Sequence, residues 1–157
     1  MDMTFGTWNV RSLYRAGALG LVTSEIDKYR MDLVGVEEVR WECSGTLESG
    51  NYTLFYGEGN ASHQLGTGVF VHRRIRSAVK QVEFISDRVS CITLKDQWCH
   101  IIVLNVHAPT EDKDDEIKDS FYEEIERLFD QLPMYQMKIL LGQIMQKKDE
   151  RIFFSQK

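Results

Sequence analysis

The sequence predicts an α/β domain. Three features point there: a strand, helix, strand opening; short β-branched runs through the middle; and a long amphipathic helix followed by one more buried strand. Met3 to Val10 reads as the first strand, giving way to a loop at Asn9 and Arg11. Leu19, Val22, Ile26 and Tyr29 recur at helical spacing, so Leu19 to Tyr29 is expected to be a helix with one apolar face. Asp32 to Val36 then reads as a short buried strand that delivers Glu37 and Glu38 at its C-terminal end. Tyr52 to Tyr56, Gly68 to His72, Val79 to Phe84, Val89 to Leu94 and Ile101 to Val106 are β-branched or aromatic and separated by turn residues, which suits one mostly antiparallel sheet.

Pro109 stops the last of these runs, and Asp112, Asp114, Asp115 and Glu116 suit the positive end of a helix starting there. Ile117, Phe121, Ile125, Leu128 and Leu132 are expected to line its buried face as far as Pro133. Met137 to Leu141 is the last expected strand, ended by Gly142. Residues 1–142 thus read as one domain, and residues 143–157 as a divergent tail with neither period nor turn signal.

Composition narrows the function classes. A chain of 157 residues, 43% hydrophobic, suits one domain with a core. A formal charge of -5 argues against coating nucleic acid by bulk electrostatics, so any such contact is expected to be local. Cys43, Cys91 and Cys99 form no C-x-x-C pair, so they read as idle thiols rather than a disulfide frame or zinc site. No signal-peptide pattern and no run of about 20 apolar residues is present. The expected setting is therefore intracellular, nuclear or cytoplasmic, without membrane attachment, and the glycosylation matches at Asn51 and Asn60 carry little weight.

Three polar residues at strand ends are candidates for chemistry. The Asn9 amide can hold a phosphate oxygen or a metal-bound water, although asparagine there is also a common turn former. Of the adjacent Glu37 and Glu38, strand alternation lets only one face a site, and a carboxylate at the mouth of a sheet suits a hard cation. His107, just past a buried strand, can donate to phosphate or move a proton. The run His72-Arg73-Arg74-Ile75-Arg76 is a basic patch that reads first as a solvated turn and second as a DNA contact.

In that order, and with Gly66-Thr67-Gly68-Val69-Phe70-Val71 between the second and third, these strings resemble the endonuclease/exonuclease/phosphatase superfamily. The closer resemblance is to the apurinic-type endonuclease domain of RTE (BovB-like) non-LTR retrotransposons, an origin shared by craniofacial-development-protein-like sequences. It runs from about Met3 to Gly142. It implies the first portion of a four-layer α/β sandwich, a partial fold lacking its C-terminal strands, and magnesium-dependent phosphodiester hydrolysis in DNA. Asn9 matches the family asparagine of the first strand, and Glu38 the metal-binding glutamate, with Glu37 where relatives carry glutamine. His107 stands where many relatives have tyrosine before Ala-Pro, and both side chains donate to a phosphate oxygen.

The pattern breaks at the family's Gly-Asp-Phe-Asn, which here reads Gly142-Gln143-Ile144-Met145. Glutamine is no general base near neutral pH, and methionine offers only a weak sulfur acceptor. The later Asp-His pair of the family has no counterpart, His107 being the last histidine before Lys157. The expectation is a nuclease-like domain that does not cleave, holds Mg2+ weakly through Glu38, contacts DNA weakly, and leaves a sheet face for a protein partner to cover. A non-catalytic protein- or DNA-binding module and a transposon relic without selected function stay open beside it.

Overall fold

The structure, a computed structural model, describes residues 3–10, 17–37, 39, 44–57, 66–110, 112–133, 136–146 and 149–152, the stretches after residue 142 as backbone only. In chain order the elements are β1 (Phe5–Asn9), α1 (Ala18–Lys28), β2 (Leu33–Glu37), β3 (Gly45–Ser49), β4 (Tyr52–Gly57), β5 (Thr67–His72) and a 3-10 turn (Arg76–Ala78). There follow β6 (Val79–Ser86), β7 (Val89–Lys95), β8 (His100–His107), α2 (Asp115–Gln131), β9 (Met137–Gln146) and β10 (Asp149–Ile152). The middle strands, expected in one sheet, divide between two. The first sheet has the order β1-β2-β5-β4-β3 and the second β10-β9-β8-β7-β6. Two parallel pairs, β1 with β2 and β8 with β9, sit in otherwise antiparallel sheets.

The division follows from burial on both faces. Leu33, Val69, Val71, Ile92, Leu94, Val103, Ile139 and Leu141 fill the space between the sheets. The alternate residues Val34, Val36, Leu54 and Phe70 point the other way, onto Ile26 of α1. In the second sheet Val89, Leu104 and Val106 pack on Phe121 and Ile125 of α2. Three apolar layers separate four structural ones: helix, sheet, sheet, helix. Strands with apolar residues on both faces lose the clean alternation of a half-exposed sheet, so their existence is legible in the sequence while their grouping is not.

Local chemistry sets the helix ends. Asp114 caps α2, its Oδ1 accepting the Ile117 N–H at 2.9 Å, and Asp115 and Glu116 occupy the first turn. Ile117, expected on the buried face, is 45% exposed instead, because the first turn overhangs a cleft lined by Arg88, Pro109 and Glu116 rather than the sheet. Strand β9 also departs from expectation: it runs on through Gly142 to Gln146, and β10 pairs back onto Gln143–Gln146. Backbone pairing needs no apolar alternation, which is why the sequence past Gly142 showed no strand. Burial pushes the Cys91 thiol up to about 11, with Glu83 adding to it, which suits the idle role expected of this residue.

A buried polar knot closes the end of the sandwich where β2 begins. Asp32 Oδ1 accepts Arg74 Nε at 3.1 Å and Nη2 at 2.9 Å, while Oδ2 accepts the Thr4 N–H at 2.8 Å. His72, 5% exposed, accepts the Arg74 N–H on Nδ1 at 3.0 Å and turns Nε2 toward Asp27 Oδ1 at 3.6 Å. Burial lowers the His72 pKa below its ordinary 6.5, Arg74 works in the same direction, and Asp27 opposes. The unfolded chain therefore binds this proton at higher pH than the folded one. Stability is full above about pH 6.5 and falls as pH drops from there toward the depressed folded value. Urea unfolding at pH 7.5 and pH 5.5 is expected to give a lower midpoint at pH 5.5, and a smaller difference for His72→Gln. An equal difference in the variant would assign the acid sensitivity elsewhere.

Candidate functional site

Strand register assembles a polar rim at the opposite end. On the inner face of the first sheet Asn9 lies beside Glu37 in the parallel ladder, and Glu37 lies opposite Thr67 in the antiparallel one. Thr7 sits one pleat further in and donates Oγ1–H to Glu37 Oε1 at 2.8 Å. Glu37 is fully buried, as are Thr67, Ser90 and Asn105. Inward positions that further along hold Leu33, Val71 and Ile92 thus turn polar within two residues of the strand ends.

Asn105 ties the two sheets together. Its Nδ2 donates across the sandwich to Val36 O at 3.4 Å and Gly68 O at 3.2 Å, and lies 3.5 Å from Ser90 Oγ. This contact levels β2 with β8, so their C-terminal ends reach the same rim. His107, two residues on, faces the same way as Asn105 and is 7% exposed. The β6–β7 turn braces it: the His107 N–H donates to Arg88 O at 2.8 Å, and Arg88 Nη1 donates to His107 O at 3.1 Å. The Gly66 N–H reaches Asp87 O at 3.2 Å, and the Val39 N–H reaches Gly66 O at 3.3 Å, closing the rim between the sheets. In the parallel ladder His107 stands beside Gln143.

Of the residues expected to carry chemistry, Asn9 and His107 reach this rim, on opposing sheets, and Glu38 lies outside the described residues. The carboxylate placed there is Glu37. Thr7, Thr67, Ser90 and Asn105 were not singled out from the sequence. Their signal was a polar residue at an inward register position, readable only once the face of each strand is known. Asn105 Oδ1 and Thr67 Oγ1 are buried with no hydrogen-bond partner among the described residues, an arrangement that invites a water or a ligand atom.

Residues 6–136 match the model of the Endonuclease/Exonuclease/phosphatase family. The chain belongs to that family. Craniofacial development protein 2 of Bos taurus is 27% identical over 141 residues, which make up 90% of this chain and 24% of that protein. The chain therefore spans about a quarter of the length of the curated relatives it matches. Among solved structures, D. rerio TDP2 complexed with single strand DNA product superposes with a TM-score of 0.64 at 15% identity, covering 90% of this chain and 60% of that one. The endonuclease domain of TRAS1, a telomere-specific non-LTR retrotransposon, gives a TM-score of 0.61 at 12% identity, covering 90% and 58%. At these identities the likeness speaks for the fold, the two-sheet α/β sandwich of this family.

Members of this family are generally metal-dependent nucleases, so the rim can be asked whether it suits a cation. Its oxygen donors, the Glu37 carboxylate and the amides of Asn9 and Asn105, suit a hard ion over a soft one. Among the described residues, however, no three His, Cys, Asp or Glu side chains gather as a metal site. Among the described residues one carboxylate, Glu37, stands at the rim, fewer than a tight magnesium site pools.

Proposed function

We propose that this family member is a DNA-phosphodiester-binding, endonuclease-like domain of RTE-type non-LTR retrotransposon descent that does not hydrolyse its ligand. One observation carries the reading: the β8–β9 register pairs position 143, a glutamine, with His107, where the family motif expects aspartate. An amide cannot take a proton from the attacking water at neutral pH. Magnesium would be held weakly, by Glu38 or Glu37 with waters and substrate phosphate, and would supply charge for the phosphate rather than an activated nucleophile. The kinship with craniofacial development protein 2 and the fold shared with the TRAS1 domain support the descent. An intracellular location, nuclear or cytoplasmic, goes with this role.

Each missing acid-base or charge-stabilising group costs roughly 10² to 10⁴ in rate, so several together bring cleavage to background. Supercoiled plasmid incubated with the chain and Mg2+ is expected to stay unnicked, as with Glu38→Ala, while salt-sensitive DNA binding persists. In residues 1–157 alone, where His107 is the last histidine, Gln143→Asp with Met145→Asn is expected to leave nicking absent. Mg2+-dependent nicking that disappears in Glu38→Ala would overturn the reading.

A further inference from the structure

The end of the sandwich away from the rim carries a second set of exposed groups. The connection from β5 to β6 and the start of β6 hold Arg73, Arg74, Arg76 and Lys80 without a single carboxylate. All four are exposed, in a chain whose formal charge is -5. Val79, at the start of β6, pairs with Leu94, and Lys95 pairs with His100, so the β7–β8 hairpin tip lies directly beside this connection. Lys80 Nζ reaches His100 Nε2 at 3.4 Å, joining the two.

On that tip stands Trp98, 85% exposed. The turn beneath it is fixed by its own bonds: the Asp96 N–H donates to Cys99 O at 2.9 Å, and Asp96 Oδ1 accepts the Gln97 N–H at 2.7 Å. The acids nearby are already engaged. Asp96 holds its own turn, and Asp32 takes the Arg74 guanidinium at 2.9 Å. Arg76 lies over the Phe55 ring at 4.9 Å and closes the apolar core beneath the patch. Lys80 and Lys95 are left facing solvent beside the exposed indole, while Arg73 donates Nη1 to Asn51 Oδ1 at 3.2 Å.

We propose that this pole is a binding surface for single-stranded nucleic acid, with an unpaired base stacked on Trp98 and the backbone phosphates on Lys80 and Lys95. Unpaired bases stack on an exposed aromatic face, and cations beside it track the backbone. A duplex keeps its bases buried and cannot use the indole. This surface stands apart from the rim, at the other end of the sheets, and does not depend on any reaction there.

Fluorescence anisotropy with labelled dT12, rU12 and a DNA duplex of the same length tests this on the whole chain. Both single strands are expected to bind more tightly than the duplex. Trp98→Ala weakens single-strand binding roughly 10- to 100-fold and removes that preference. Lys80→Glu with Lys95→Glu weakens it further and lowers the slope of log affinity against log salt by about 0.7 for each phosphate no longer neutralised. Circular dichroism melts of the variants matching the original chain confirm that folding is not the cause, since all three side chains are exposed. Single-strand binding that is absent in the original chain, or unchanged in both variants, overturns the proposal. A duplex affinity untouched by either variant leaves the rim reading standing on its own.

Discussion

Gly142→Ala is expected to melt about 10 °C or more below the original chain. Gly142 has φ +151° and packs so close to β8 that a Cβ there would overlap the carbonyl oxygen of Val106 and approach its carbonyl carbon to 3.0 Å. The obstacle is backbone, so no rotamer change relieves it. Either β9 swings away from β8, giving up the pairings Val106–Gly142 and His107–Gln143, or the residue is held in strained backbone at about 1–3 kcal/mol beyond the steric cost. A total above about 4 kcal/mol is a large share of the 5–15 kcal/mol that holds a typical domain. At roughly 2–4 °C per kcal/mol for a chain of this size, the shift is easily read in a circular dichroism melt. An alanine variant that melts within about 2 °C of the original would mean that β9 does not approach β8 this closely. The position matters because Gly142 lets the last pair of the ladder bring Gln143 up to His107.

The sequence announced the parts of this molecule better than their arrangement. β1, α1, β2, α2 and the first half of β9 were legible because each carries an apolar face at its own period, and Asp114 at the start of α2 is a local capping signal. β3 was missed because Gly45–Ser49 is largely exposed and buries too little to leave a pattern. The division into two sheets was not legible either, since Val69 and Phe70 are both fully buried, one between the sheets and the other under α1.

Asn9 and His107 were found as polar interruptions at strand ends, a local signal. Glu38 is the choice of the family motif and lies outside the described residues, while alternation says that one of two neighbours faces inward without saying which. Thr7 and Thr67, which settle the direction of Glu37, lie 30 residues away in each direction. Asn105 looked like one more residue of an apolar strand. Its meaning depends on Gly35, 70 positions earlier, whose missing side chain makes room for it.

That pairing of a glycine with a buried amide gives the second large effect. Asn105→Ala removes the donor serving Val36 O and Gly68 O from a fully buried position, leaving buried carbonyls short of a partner and a small void. The expected loss is about 2–4 kcal/mol. Gly35→Ala places a methyl 2.5 Å from Asn105 Cγ and 3.1 Å from Nδ2, forcing the amide off its acceptors, at a comparable cost. The two penalties share one cause, so they are not additive. With Asn105 already cut back to alanine, the methyl at position 35 enters the space the amide has left and meets nothing polar. The double variant is therefore expected to be more stable than the sum of the single losses predicts, by about 1–3 kcal/mol in a urea-denaturation cycle. Strict additivity would show that Gly35 and Asn105 do not meet across the sheets. In that event the levelling of β2 with β8, which brings Glu37 and His107 to one rim, would lose its support.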